Sequence, residues 1–178
     1  MHYKIVNIVA TAKVERELDL EKLAGEVSEI KYDPTHFPGA KYKPSNQVTI
    51  LIFRTGNLVC VGCKSEEQIN ESFSLLEKDL KSVYPEIEIY SIRIENKVGI
   101  CDFGRKIDLL EAYEKIGRRY KALYEPDQFP GLMIWFSKDN KKLSFLLFTS
   151  GKCIIGGIRN DKKALEALGE LEEILFEN

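Results

Sequence analysis

Apolar and polar positions change period along this chain in a regular order. Ile5-Val-Asn-Ile-Val-Ala10 is β-prone, whereas Leu18, Leu20, Leu23 and Ala24 fall at helical spacing and predict a short helix ended near Gly25. Strands follow at about 40–43, 47–54 and 57–63. Ser65 stands three residues before Gln68, the spacing of a capping box, and opens a helix that runs to about Val83. The same order then returns, with a strand over Ser91–Gly99, a helix over Asp108–Arg118, strands at about 132–136, 142–149 and 152–158, and a helix from Asp161 to Phe176. The pattern predicts an α+β fold: about ten antiparallel strands in one sheet, with four helices on one side.

Alternation along the strands assigns faces. Ile50 and Ile52 share one side, and Leu51 and Phe53 the other. Leu58 and Cys60 oppose Val59 and Val61. Phe145 and Leu147 oppose Leu146 and Phe148, and Ile8 and Ala10 oppose Asn7 and Val9. Both faces are apolar, yet the helices can cover only one. The second is therefore expected either to be covered by something the sequence does not show or to be a contact surface, for a ligand or for a second copy of the chain.

The repeat is also visible in the letters. Tyr32-Asp-Pro-Thr-His-Phe-Pro-Gly39 returns as Tyr124-Glu-Pro-Asp-Gln-Phe-Pro-Gly131, and Ile50-Leu-Ile-Phe-Arg-Thr-Gly56 as Phe145-Leu-Leu-Phe-Thr-Ser-Gly151. A repeat of roughly 90 residues exceeds a solenoid unit and falls short of a large domain, so two similar halves, 1–88 and 89–178, are expected to pack as one body.

Composition narrows the chemistry. The 178 residues carry a formal net charge of −2, which argues against a generic polybasic nucleic-acid binder. Met1-His-Tyr-Lys4 leads straight into an apolar strand and no apolar run approaches a membrane span, so an intracellular protein without a signal peptide or membrane contact is expected. The four cysteines are expected to be reduced. Cys60 and Cys63 have the C-x-x-C spacing of redox and zinc sites, but on one extended strand three residues apart they should point to opposite faces. The two histidines, His2 and His36, lie in a terminus and a turn, and no triad, phosphate loop or metal motif is present in the sequence. No enzymatic activity and no cofactor are expected.

In order, spacing and duplication these motifs resemble the TATA-box-binding protein family over essentially the whole chain. The carrying residues are Val6-Asn-Ile-Val-Ala10 with Glu95-Asn-Lys-Val-Gly99, the two Phe-Pro-Gly loops, the two Phe-x-x-Gly hairpins, and Val59-Cys-Val-Gly-Cys-Lys64 with Ile154-Ile-Gly-Gly-Ile-Arg159. The resemblance implies a saddle whose concave sheet sits in the DNA minor groove and whose helices face protein partners. It places wedge phenylalanines at Phe37 and Phe53 in one half and at Phe129 and Phe148 in the other. Asn7 and Asn96, beside Val9 and Val98, are the expected readers of A/T base edges. Leu51, Val59, Val61, Leu146 and Ile154 complete the expected DNA face, with phosphate contacts at or near Lys43, Arg54, Lys64, Lys152 and Arg159. Acidic Glu125 and Asp127 mark the loop where the family meets transcription factor B, and RNA polymerase would follow indirectly.

The sequence also departs from the family. Val61 and Gly156 replace threonines whose hydroxyls face the groove, Trp135 stands where arginine is common, and Asn57 replaces a lysine. Lys97 falls where an apolar residue would meet the helices. These changes point to a divergent member, and the high Lys and Glu content leans archaeal, with an expected location in the cytoplasm and nucleoid, or in the nucleus for a eukaryotic chain. Alternatives left open are a regulatory paralogue with weakened DNA binding, a homodimer burying the bare face, and a related fold serving a nucleic-acid enzyme.

Overall fold

The computed structural model describes residues 1–138 and 141–176; Asp139, Asn140, Glu177 and Asn178, which the second repeat span includes, lie outside the described residues. The elements are β1 (His2–Lys13), α1 (Leu20–Glu26), β2 (Ile30–Lys31), β3 (Ala40–Tyr42), β4 (Thr49–Ile52), β5 (Asn57–Cys63), α2 (Glu66–Lys81), β6 (Tyr90–Asp102), α3 (Leu109–Gly117), β7 (Lys121–Leu123), β8 (Leu132–Lys138), β9 (Lys141–Leu147), β10 (Lys152–Ile158) and α4 (Asp161–Phe176). The ten strands belong to one sheet, in the order β2-β3-β4-β5-β1-β6-β10-β9-β8-β7. Two compact units divide the chain: Asn7–Glu95, and Met1–Val6 together with Asn96–Asn178.

In the unit of residues 7–95, Ile8, Ala10, Ile50, Ile52, Leu58 and Cys60 turn inward against Leu20, Leu23, Ile69, Phe73, Leu76 and Leu80 of α1 and α2. Asp19 caps α1 by accepting the Lys22 N–H at 3.0 Å, and this bond holds its carboxyl below the usual range. The helix ends at Glu26, beside Gly25 as the sequence predicts, and the Val27 N–H closes on the Leu23 carbonyl. Ser65 accepts the Gln68 N–H at 3.2 Å as its capping box requires. The returning arm differs: Gln68 Oε1 takes the Lys64 N–H (2.8 Å), one residue earlier than in the standard box.

The other unit repeats the plan. Leu132, Ile134, Phe136, Phe145, Leu147, Cys153 and Ile155 pack with Ala112 and Ile116 of α3 and Ala164, Leu168 and Leu171 of α4. Tyr3 and Ile5 of β1 lie against the same cluster. Lys97 is buried among these apolar groups and reaches Asp161 at the start of α4, 3.4 Å away. The edge strands β2 and β7 are two and three residues long. Neither carries enough residues for alternation to show in the sequence.

Candidate nucleic-acid interface

Each unit leaves one sheet face without a helix. In the first, the half-buried side chains of Asn7, Val9, Leu51, Val59 and Val61 share this face; in the second, half-buried Asn96, Val98 and Leu146 do so with exposed Ile154. The faces assigned by alternation therefore hold. Because these side chains are packed only from the sides, each unit presents a contiguous apolar surface of the kind that marks a contact site.

The phenylalanines stand at the margin of this surface as two matched pairs. Phe37 and Phe53 meet edge to face at 5.9 Å, and Phe129 and Phe148 are tilted at 6.2 Å, all four half-buried. The Pro-Gly of each loop has a steric cause: a β-carbon on Gly39 would lie 2.8 Å from the Phe37 ring and 3.2 Å from the Phe53 ring. At Gly131 the corresponding distances to Phe129 and Phe148 are 2.7 and 3.2 Å. Glycine thus makes the floor on which each ring pair rests. The second ring of each pair begins a hairpin turn, with Gly56 N–H bonded to the Phe53 carbonyl and Gly151 N–H to the Phe148 carbonyl, both at 2.9 Å. Gly56 and Gly151 take φ of 87° and 88°, which favours glycine.

The asparagines are fixed by a pair of bulges. Between β1 and β5 the register passes from Ile8↔Cys63 to Ala10↔Cys60, so β5 carries one extra residue; between β6 and β10 it passes from Ile158↔Lys97 to Ile155↔Gly99, with the same excess on β10. At the bulges Gly62 and Gly157 adopt φ of 89° and 78°. Each turns its N–H to an asparagine: Gly62 to Asn7 Oδ1 at 3.0 Å, Gly157 to Asn96 Oδ1 at 3.3 Å. A backbone N–H can only donate, so the amide oxygen must face it. Among the described residues neither Nδ2 has a partner, which leaves a donor at the same place on both faces.

The same bulge corrects the expectation for the cysteines. One extra residue reverses the alternation, so Cys60 and Cys63 both face the helices, fully buried, with sulfurs 3.3 Å apart. Burial, reinforced by Cys63, pushes the Cys60 thiol up. Cys101 and Cys153 are likewise buried and directly opposite in register, their thiols pushed up to about 11 and about 12, chiefly by burial.

The basic residues do not behave alike. Lys43, Lys64, Lys152 and Arg159 are exposed. Arg54 is held by Glu21 of α1 at 3.1 Å, a carboxylate that raises its affinity for its proton. Glu125 and Asp127 are exposed, and the Glu125 carbonyl accepts the N–H groups of Gln128 and Phe129, both at 2.9 Å. Several residues on the helix-free faces escape notice in the sequence: Thr11, Thr49, Ile100, Met133 and Ser144. Strand alternation places each of them once the cross-strand register is known.

Comparison with known proteins agrees with this geometry. The family model described as transcription factor TFIID (or TATA-binding protein, TBP) matches residues 2–83 and again 91–178. The TATA-box-binding protein of Methanocaldococcus jannaschii is 34% identical over 177 residues, 98% of this chain and 93% of that protein. Its counterpart in Aeropyrum pernix is 36% identical over 180 residues, 98% of this chain and 84% of that protein. A solved structure of Methanococcus jannaschii TBP superposes with a TM-score of 0.83 at 32% identity, covering 100% of both chains. With a duplicated family match, full-length relatives and a shared fold, this chain belongs to the TATA-binding protein family.

Proposed function

We propose that the protein is a general transcription initiation factor that binds A/T-rich promoter DNA through the minor groove and bends it. Each helix-free face takes one half of the element, Phe37 with Phe53 and Phe129 with Phe148 wedge between base steps at its margins, and Asn7 and Asn96 donate to the A N3 and T O2 acceptors. The observation that carries this reading is the partial exposure of both phenylalanine pairs at matching places, each over a glycine that makes room for it. The apolar residues Leu51, Val59, Leu146 and Ile154 support it, since the groove floor of A·T pairs lacks the guanine amino group. Exposed Lys43, Lys64, Lys152 and Arg159 would supply phosphate contacts.

Exposed Glu125 and Asp127 would meet transcription factor B, which brings RNA polymerase. Gel-shift titration of A/T-rich against G/C-rich duplex, with bending followed by fluorescence energy transfer, tests the DNA reading. Preference for A/T-rich duplex with a bend supports it; equal binding of the two without a bend refutes it and leaves a protein-interaction role. A ternary complex with transcription factor B that weakens on Glu125→Lys and Asp127→Lys substitution tests the partner. Sedimentation of the free protein reports whether a second copy covers the same faces, and DNA should dissolve such a dimer.

A further inference from the structure

The helix-free face of the second unit contains a low spot that the first unit lacks. Gly156 of β10 lies opposite Ser144 of β9, and Ser144 opposite Trp135 of β8. A β-carbon at position 156 would stand 2.9 Å from Ser144 Oγ, with no other atom within 4 Å. The serine hydroxyl therefore lies beside the space that a side chain on β10 would take. It is exposed and has no hydrogen-bond partner among the described residues, so it can donate or accept. Trp135, across β9, and Ile154, two residues earlier on β10, are each 39% exposed on the same face. In the first unit the matching bulge carries Val61, opposite Thr49, both half-buried.

This difference bears on the one feature that separates base pairs in the minor groove. A·T and T·A pairs present only acceptors there, whereas a G·C pair adds the guanine N2 amino donor. A valine at position 61 fills the room that group needs; Thr49 opposite it carries a hydroxyl as Ser144 does, so the room and not the acceptor separates the two units. Gly156 leaves the room open, and Ser144 Oγ supplies an acceptor beside it. We infer that Gly156 and Ser144 form a base-edge subsite that admits a G·C pair in the half of the element read by the second unit, while Val61 excludes it from the first. The inference rests on the minor-groove reading proposed above. Its consequence is an element with unequal halves, which would give the bound protein a direction.

The test places a single G·C or a single inosine·C pair at each step of one A/T-rich duplex. Inosine lacks only the N2 amino group, so the ratio of the two dissociation constants isolates that group. For the unsubstituted protein the ratio should stay within about twofold at the step facing Gly156 and reach about tenfold or more at its counterpart facing Val61, the scale of one disfavoured pair. Gly156→Val should raise the ratio at the first step to about tenfold, Ser144→Ala should raise it in part, and Val61→Gly should lower it at the second. Gly156 does not take a positive φ, and the one close contact of a β-carbon there is the rotatable Ser144 hydroxyl, so valine is admissible once that hydroxyl turns aside. Equal ratios in both halves of the element, or a ratio indifferent to Gly156→Val and Ser144→Ala, overturn the inference while leaving DNA bending intact. Failure to prefer and bend A/T-rich duplex at all overturns both readings.

Discussion

Two rows of side chains, one on each unit's helix-free face, occupy equivalent register positions and carry different chemistry. In the first unit the row runs Lys31, Lys41, Leu51, Val59, Thr11; in the second it runs Leu123, Met133, Leu146, Ile154, Ile100. The outer end is cationic in one and apolar in the other, and Lys43 in the first unit answers to Trp135 in the second. The backbone frame is common: the same hairpins, the same bulges, the same glycines under the rings. The parts that set geometry are therefore common to the two units, while the side chains of this row differ. On the proposed function, the first unit would hold DNA more by charge and the second more by apolar contact.

The largest expected effect tests what the two units share. Replacing both rings of one pair, Phe37→Ala with Phe53→Ala or Phe129→Ala with Phe148→Ala, should remove the bend at one end and weaken binding by about 1–3 kcal/mol per ring, with the far-ultraviolet circular dichroism unchanged. Energy transfer across the duplex checks this; an unaltered bend in either double variant means that those rings are not wedges.

Next comes a difference hidden within the shared frame. Gly62 and Gly157 both have positive φ, but a β-carbon on Gly157 would meet the Lys142 carbonyl oxygen at 2.5 Å, whereas nothing lies within 4 Å at Gly62. Gly62→Ala should then cost about 1–2 kcal/mol of stability from backbone strain alone. Gly157→Ala should cost clearly more, and urea denaturation of the two variants measures the gap.

The row comparison predicts a separation in salt dependence. Neutralising Lys31, Lys41 and Lys43 should flatten the plot of log affinity against log salt by about 0.9 for each phosphate that the protein no longer neutralises. Alanine at Leu123, Met133 and Trp135 should weaken binding without changing that slope. Equal slope changes in the two triple variants would erase the proposed division between the units.

The smallest effect concerns the asparagines. Asn7→Ala and Asn96→Ala each leave a bulge glycine N–H without its acceptor, at a cost of about 0.5–1.5 kcal/mol in thermal or urea unfolding. The Asn7 bond is the shorter, 3.0 against 3.3 Å, so Asn7→Ala should sit at the upper end of that range and Asn96→Ala at the lower.

Much of the fold is legible from local pattern. Strand alternation separates Ile50 and Ile52 from Leu51 and Phe53, and helical spacing locates α2, α3 and α4 to within a few residues. What escaped depends on partners distant in sequence. β2 and β7 are strands only because β3 and β8 pair with them, and the face shared by Trp135, Ser144 and Gly156 exists only across three strands.

The amino-acid sequence by itself determined the duplication, the α+β class, the family and, up to the bulges, the side of the strands that meets the helices, because each of these is written in short-range period or motif order. Tertiary structure alone decided the orientation of Cys63 and Ile158, the acceptor bound by each asparagine, and the pairing of Lys97's charge with Asp161. The physical reason is the bulge and the register: a single extra residue opposite a partner strand reverses every side chain beyond it, and whether it is accommodated there depends on the neighbouring strand.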